Sequence, residues 1–548
     1  MRLKDEVGGN LLEPRSLFAS CAADSNGSSC LDAHKNVSNP FWIGDQPAGT
    51  QVSGWLDAWS PASSAYAVKA RTAADVAAAV NFAREHKLRI VVKGTGHSYQ
   101  GTSNAADSLL IWTRAMTDVT VHEAFVPKNC AGKVAPEPAV TAGAGAMSID
   151  LYHAVTTVGG RYVQCGGCTD TGVAGLVQSG GFGSYSKGFG TAAAGLLEAE
   201  IVTADGVIRT VNACNEPDLF WAIKGGGGGS WGVLTKVTLR THELPLLGGA
   251  YGRITAHSDE AYRKLIGHFI AFYVTDLFNP HWGEQVSFTP DNTLELSMSC
   301  QGLDERQVSD VWQPFLDWVA SSSNDFSIAG RIHVTAKEGR GMWDAETNQN
   351  MNRDLREGAP KHHGWWHGDQ DQVWAYIHGS DSLWLPASLL QGDRQHKLAD
   401  ALFAASRHHK VALHINKGLA GSSPEIIAAV KETAMNPAVT DAFALAMIGD
   451  GEAGSNGPSH APADMAAARR NAQTIAEAAA ELYKIVPNAG SYVSESNYFN
   501  KDWQHAFWGA NYRRLQTVKA KYDPDGLFIV HHGVGSEDWS SDGFTRFT

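Results

Sequence analysis

From Tyr66 onward the apolar positions write out an order of elements. Tyr66–Ala70 reads as a short strand. Thr72 opens a helix, with Asp75 three residues on as a near capping box. Val76, Val80 and Ala83 recur on one face of it at helical spacing. The β-branched run Leu88–Val92 is the next strand, and it runs directly into a glycine-rich loop, Lys93 to Ser103. Leu109–Trp112 and Ala139–Thr141 follow as strands, and Ser148 is expected to cap a helix through Thr157. Glu198–Thr203 and Val207–Val211 flank Ala204-Asp205-Gly206, a hairpin signal. Leu219–Lys224 is a short helix ahead of five glycines, Gly225–Gly229. Val233–Thr241 is a strand, and Leu244-Pro245 marks a break.

Outside this stretch the texture differs. Residues 1–60 are rich in Ser, Asn, Asp and Gly and predict an irregular, wrapping N-terminal arm. Between about 246 and 485 glycine loops thin out, and helices such as Pro462–Ile485 alternate with strands such as Val411–Ile415. After Pro487 the chain becomes aromatic and polar again. The expected division is an arm over 1–60, one domain over 61–245, a second over 246–487, and a segment 488–548 that returns to the first.

Composition narrows the class. With 43% hydrophobic and 18% charged residues the chain is an ordinary globular protein. A net charge of −13 suits neither nucleic acid nor an anionic membrane surface as partner. No apolar run approaches the roughly 18 residues of a membrane span. The N-terminus lacks the apolar stretch of a signal peptide. The expectation is a secreted or periplasmic protein with its leader removed, a cytoplasmic one being the alternative. The seven cysteines are an odd number, so one sulfur is left over or does something else.

Three constellations carry the chemistry. In Gly94-Thr95-Gly96-His97-Ser98, with Gly101-Thr102 behind, glycines let backbone N–H groups turn toward a phosphate. The loop is neither a G-x-G-x-x-G fingerprint nor a P-loop. Cys165-Gly-Gly-Cys168 precedes Thr171, Gly172, Gly175, Gly180 and Gly183. No second C-x-x-C is present to complete a zinc site, and a redox dithiol does not belong in a long glycine run. The third is Tyr492-x-x-Glu495-x-x-Tyr498, followed by Trp503-Gln504, Asn511-Tyr512 and Tyr522-Asp523-Pro524.

Together these motifs resemble the berberine-bridge-enzyme-like group of the vanillyl-alcohol-oxidase flavoprotein superfamily. The resemblance covers about 65–245 and 488–535, and includes Asp218-Leu219-Phe220-Trp221-Ala222 ahead of Gly225–Gly229. It implies an α+β fold of two domains: a PCMH-type FAD-binding domain, and a substrate domain whose antiparallel sheet, flanked by helices, covers the flavin. It implies FAD bound covalently twice, through His97 and Cys168, so that Cys165 and Cys168 do not pair with each other. Gly94, Thr95, Gly96, Ser98, Gly101, Thr102, Thr171, Gly172, Gly175, Gly180, Gly183, Ile201 and Asn511 are the further cofactor-binding candidates. A base must take the proton from a substrate hydroxyl. In relatives a tyrosine does so, which makes Tyr492 and Tyr498 candidates. This chain departs from the group's usual Y-x-N-Y-x-D and ends in His531-His532, so His532 is a third. In relatives the third residue after the flavin cysteine governs oxygen access, and here it is Thr171.

In the second domain, His362-His363-Gly-Trp-Trp-His367 is expected to be a loop lining or roofing the substrate pocket. His363 and His367 stand at metal-binding spacing, but no acidic ligand motif accompanies them and Gly364 argues against a helix, so no metal is expected. His414, Asn416 and Lys417 either touch substrate or alternate in and out of a sheet. The leading functional reading is an oxidase that turns a CH–OH group of an alcohol, sugar or phenolic substrate into a carbonyl and passes electrons to oxygen. A flavin dehydrogenase or ring-closing enzyme, and an inactive flavin-fold binding protein, are the alternatives.

Overall fold

The computed structural model describes residues 2–455 and 464–547. Thr72 caps the helix Ala73–His86: its hydroxyl accepts from the Asp75 N–H while the Asp75 carboxylate accepts from the Thr72 N–H. The inner face of the helix, Val76, Ala79, Val80 and Ala83, is buried. It packs with residues of the parallel strands Tyr66–Lys69, Ser108–Trp112 and Arg89–Lys93. Leu11–Leu12 of the arm adds to this sheet antiparallel at its edge.

A second, antiparallel sheet runs in the order Ile208–Asn212, Leu196–Val202, Val233–Glu243, Glu137–Gly143, Val119–Phe125. Gly206 at φ +78° turns the hairpin as expected. Across Leu244-Pro245 the chain leaves this sheet, and Leu246–Ala256 begins another. That third sheet orders Phe326–Ile328, Leu246–Ala256, Thr293–Gln301, Trp282–Phe288, Val411–His414, Ala442–Ala453, Ala375–Pro386 and Val52–Trp55, with His333–Glu338 also on Leu246–Ala256. Helices Asp259–Phe272, Glu305–Ser321, Arg394–Ser406 and Met465–Tyr483 bury their apolar stripes in one core with it.

Three expectations change. The arm is not irregular: it folds into short helices Arg2–Glu6, Ala19–Ala23, Ser28–Asn36 and Pro40–Gly44, steadied by the Cys21–Cys30 disulfide and by Asn39 capping Pro40–Gly44. Its strand Val52–Trp55 lies parallel to Ala375–Pro386, so the arm contributes to two sheets. Ser148 is not the cap. Met147 holds that position, because the Asp150 carboxylate accepts the Met147 N–H at 2.8 Å, and the helix Ser148–Leu151 continues as a wider π-turn, Tyr152–Val158. The helix expected over Pro462–Ile485 spans Met465–Tyr483, capped by Asp464; residues 462 and 463 lie outside the described residues. Among the described residues no helix is long and apolar enough to cross a membrane.

After the third sheet the chain returns. Trp508 donates its indole N–H to the Gly225 carbonyl at 3.1 Å. The buried Lys519 ammonium donates to the Ser230 carbonyl (2.8 Å), the Phe528 carbonyl (2.6 Å) and the Asp523 carboxylate (2.6 Å). Asp523 in turn accepts the N–H groups of Leu527 and Phe528. Asp523→Ala would leave that ammonium buried without its counter-charge, so unfolding by denaturant should show a loss of about 3–5 kcal/mol. A loss under about 1 kcal/mol would mean that the Tyr-Asp-Pro turn does not anchor the C-terminal segment.

Candidate active site

The loop after Arg89–Lys93 is pinned from below. Lys93 is buried, and its ammonium donates to the carbonyls of Gln46 (3.0 Å), Pro47 (2.5 Å) and Gly49 (3.0 Å). Burial pulls its pKa down to about 7. Gly96 (φ +88°) and Gly101 (φ +69°) are conformationally required. A Cβ would stand 2.9 Å from the Gly49 carbonyl at the first and 2.6 Å from the Trp59 ring at the second. Ser98 Oγ accepts from both the N–H and the hydroxyl of Thr102. At Gly94 a Cβ would have ordinary clearance, 3.6 Å from the Ala144 carbonyl.

The second loop, 165–172, is held by the helix start at Ser148. The Ser148 and Ile149 N–H groups donate to the carbonyls of Thr171 (2.9 Å) and Thr169 (2.8 Å). From the other domain, Trp366 donates to the Gly167 carbonyl and the Gly364 carbonyl accepts from Thr169 Oγ1. The two loops meet directly. Gly172 N–H donates to Thr95 Oγ1 at 3.1 Å, and His97 Nε2 stands 2.5 Å from Asp170 Oδ2. Cys165 and Cys168 are not bonded to each other, as expected. Cys165 is buried and donates to Ser148 Oγ, its pKa pushed up to about 11 by burial.

Open space lies beside Gly167 and Gly175, where an added Cβ would touch nothing within 4 Å. Gly180, Gly183 and Asn511 are engaged in packing: Gly180 against Met435, Gly183 on the Cys165 carbonyl, and Asn511 donating to the Met435 carbonyl at 2.7 Å. Ile201 is fully buried in the apolar core.

Ionisable groups crowd the cysteine. Burial and the neighbouring Asp369, Asp170 and Glu495 push the Cys168 thiol well up. Asp369 is one of these neighbours, and burial, followed by Asp170, raises its own pKa to about 6. At His97, burial lowers the imidazole pKa, but Asp170 outweighs it and the net shift is upward. Lys417 forms an ion pair with Glu495, and its ammonium lies 6.0 Å from the Tyr492 ring. Burial, then Glu495, holds the Tyr492 phenol protonated. Burial and Lys417 keep His414 neutral, and Asn416 donates to the Gly183 carbonyl at 3.1 Å.

The three candidate bases do not converge. Tyr492 sits by the Lys417–Glu495 pair. Tyr498 stacks on His531 at 3.9 Å, and His532 lies on Trp503 at 5.3 Å, in a separate aromatic cluster. Burial and His531 pull the His532 pKa down to about 3, which leaves a weakly basic ring. The histidine-rich patch is not a simple roofing loop. Gly364–Trp366 pairs with Met351–Arg353, and His362 and His363 turn to Asp150. Sequence reasoning did not assign Asp170, Asp369 or Glu495. Asp170, two residues after Cys168, and Glu495, inside the tyrosine motif, carried a local signal; Asp369 carried none.

The pocket fits FAD. The loops leave space beside two glycines, and among the described residues the buried acceptors Gln100 Oε1, Asn104 Oδ1 and Gln178 Oε1 have no hydrogen-bond partner. The hydroxyls and ring N–H of a flavin are the donors such atoms require.

Comparison with known proteins agrees. The model of the FAD binding domain matches residues 64–212, and that of the berberine and berberine-like family matches 491–535. The VAO-type flavoprotein oxidase VAO615 of Thermothelomyces thermophilus is 30% identical over 485 residues, 88% of this chain and 78% of that protein. Among solved structures, MtVAO615 from Myceliophthora thermophila C1 superposes with a TM-score of 0.79 at 23% identity, covering 100% of this chain and 96% of the other. The glucooligosaccharide oxidase of Acremonium strictum, described as carrying 6-S-cysteinyl, 8α-N1-histidyl FAD, gives 0.64 at 20% identity, covering 88% and 94%. Fold and pocket thus define an FAD-linked oxidoreductase with a flavin domain and a substrate domain. Within that class, the chain belongs to the berberine-bridge-enzyme-like branch of the VAO-type flavoprotein oxidases.

Proposed function

We propose that this oxidoreductase carries FAD on two covalent bonds, to His97 and Cys168, and oxidises a CH–OH group to a carbonyl with oxygen as acceptor. The observation that carries this reading is the meeting of the two loops, where the His97 ring is held by Asp170, two residues from Cys168. Asp170 accepts from His97 Nε2, which leaves the Nδ1 lone pair as the nucleophile. Asp369 neighbours the Cys168 thiol, and we assign it to receive the thiol proton on linkage. The doubly linked flavin described for the Acremonium strictum enzyme supports the double linkage.

When bound, FAD accepts the hydride from the substrate carbon. The chain's part is to hold the alcohol and take its hydroxyl proton. We assign the proton to the Glu495 carboxylate, since the buried Tyr492 phenol resists ionisation and serves better to orient the hydroxyl. Lys417 pairs with Glu495 and holds it in place. The balance is an alcohol and oxygen in, a carbonyl compound and hydrogen peroxide out. The carbohydrate oxidase among the structural neighbours favours alcohols and oligosaccharides as the substrate class, with phenols as a further possibility for the panel. The disulfides Cys21–Cys30 and Cys130–Cys214 favour an oxidising, secreted or periplasmic location.

Under anaerobic conditions a panel of alcohols, oligosaccharides and phenols should contain a compound that bleaches the flavin, with colour and peroxide returning in air. Glu495→Gln should slow that bleaching by about 10²–10⁴-fold, and Tyr492→Phe by less. The reverse order would move the proton-accepting role to Tyr492. A panel in which nothing bleaches the flavin would contradict the activity.

Oxygen access generates a further expectation. Thr171 is half-buried on the cysteine loop, its carbonyl fixed by Ser148. It is β-branched and close to valine in volume, which leaves room for oxygen beside the flavin. Thr171→Leu should slow reoxidation in stopped-flow while leaving reduction by substrate largely intact. Slow reoxidation of the wild type, or equally fast reoxidation of the leucine variant, would show that oxygen arrives by another route.

A further inference from the structure

Away from the flavin pocket, a cavity of about 480 Å³ opens between the arm, the helix that starts at Ser148 and the turn Arg356–His363. Three side chains converge on its wall. Asp150 Oδ1 lies 2.9 Å from His362 Nε2 and 3.3 Å from His363 Nε2, and one ligand atom from each lies within 4.8 Å of the others. We propose that Asp150, His362 and His363 bind a divalent transition metal of the zinc type, which clamps the hairpin 351–366 to the helix that holds the cysteine loop.

The spacing suits the ion. Ligand atoms at two corners of a tetrahedron with bonds of about 2.0–2.1 Å stand about 3.3 Å apart. Two imidazoles and one carboxylate favour zinc-like ions over calcium or magnesium, which take oxygen. Each ligand is also fixed from behind. Asp150 Oδ2 is occupied by the Met147 N–H, so Oδ1 is the oxygen presented to the histidines. The His362 ring stacks on His153 at 4.3 Å and the His363 ring on Phe41 at 4.4 Å.

The protonation of His363 is the stronger argument. Its Nδ1 is buried without a hydrogen-bond partner among the described residues and faces Asp354 Oδ2 at 4.0 Å. In the neutral ring with the proton on Nε2 toward Asp150, Nδ1 is a buried lone pair with nothing to accept from. If Nε2 binds a metal, Nδ1 carries the proton and points it at a carboxylate, the usual outer partner of a metal-bound histidine. Asp354 is itself held by Asn39 (2.8 Å) and Arg356 (2.6 Å). The remaining position faces the cavity, where Arg114 and Arg356 line the wall, and would hold water or an anion.

The clamp has a definite reach. Gly364, next to His363, accepts from Thr169, and Trp366 donates to the Gly167 carbonyl. Ser148 and Ile149, just before Asp150, donate to Thr171 and Thr169. The ion would therefore tie together the two walls that hold the Cys168 loop.

The test uses the flavinylated protein, stripped with a chelator and titrated with cobalt(II). One cobalt per chain should bind at micromolar metal, with tetrahedral ligand-field bands to the red of the flavin absorption. Zinc should displace it and raise the melting temperature. His362→Gln and Asp150→Asn should abolish both effects, while His367→Gln keeps them. If a variant fails to fold, the wild-type spectrum still decides. Absence of stoichiometric cobalt binding, or binding that survives both replacements, would overturn the proposal.

Discussion

The site depends on one contact: the edge-to-edge meeting of two loops that issue from different sheets. The loop 94–101 leaves the parallel sheet at Lys93, and the loop 165–172 follows Arg161–Val163, which pairs with the long strand Val233–Glu243. Neither loop is anchored by its own strand alone. They are locked by Gly172 N–H on Thr95 Oγ1 and by Asp170 on His97. Under the proposed double linkage the two groups reach one ring and tolerate little relative drift, since misplacement by about 1 Å can cost a hundredfold in rate. The Lys93 ammonium beneath and the Trp366 and Gly364 contacts behind serve that same alignment.

The electrostatics follow from the same crowding. Asp170 faces the His97 imidazole and Glu495 the Lys417 ammonium, while Asp369 neighbours the Cys168 thiol. Glu284 adds a fourth carboxylate, its pKa raised by burial and its backbone in the left-handed region at φ +58°. Burial, followed by the neighbouring Asp170, raises the Asp369 pKa.

What was legible in the sequence was local. The Thr72–Asp75 cap, the Gly206 turn and the strand that feeds Gly94 depend on residues a few positions apart, and each formed as read. The two loops were legible as motifs, and the resemblance they carried also implied that Cys165 and Cys168 do not pair with each other. What was not legible depends on distance. The arm's helices are fixed by a disulfide and by pairing with Ala375–Pro386. Asp369 reaches Cys168 across about two hundred residues. Tyr492 packs in one apolar cluster with Phe182 and Trp384 and Tyr498 in another with Trp55 and Tyr376, a separation of which spacing along the chain carries no trace. At the start of the Ser148 helix a strong local signal lost, because the Asp150 carboxylate reached the Met147 N–H and moved the cap by one residue.

The central claim is that His97 and Cys168 both end on one flavin. It is tested most directly by acid precipitation followed by peptide mapping of the yellow fraction, on the wild type and on His97→Ala. The wild type should stay yellow, with a single flavin joining the peptides of His97 and Cys168, and His97→Ala should keep its flavin on Cys168 alone. FAD released into the supernatant of the wild type, or a flavin peptide lacking either residue, would contradict it.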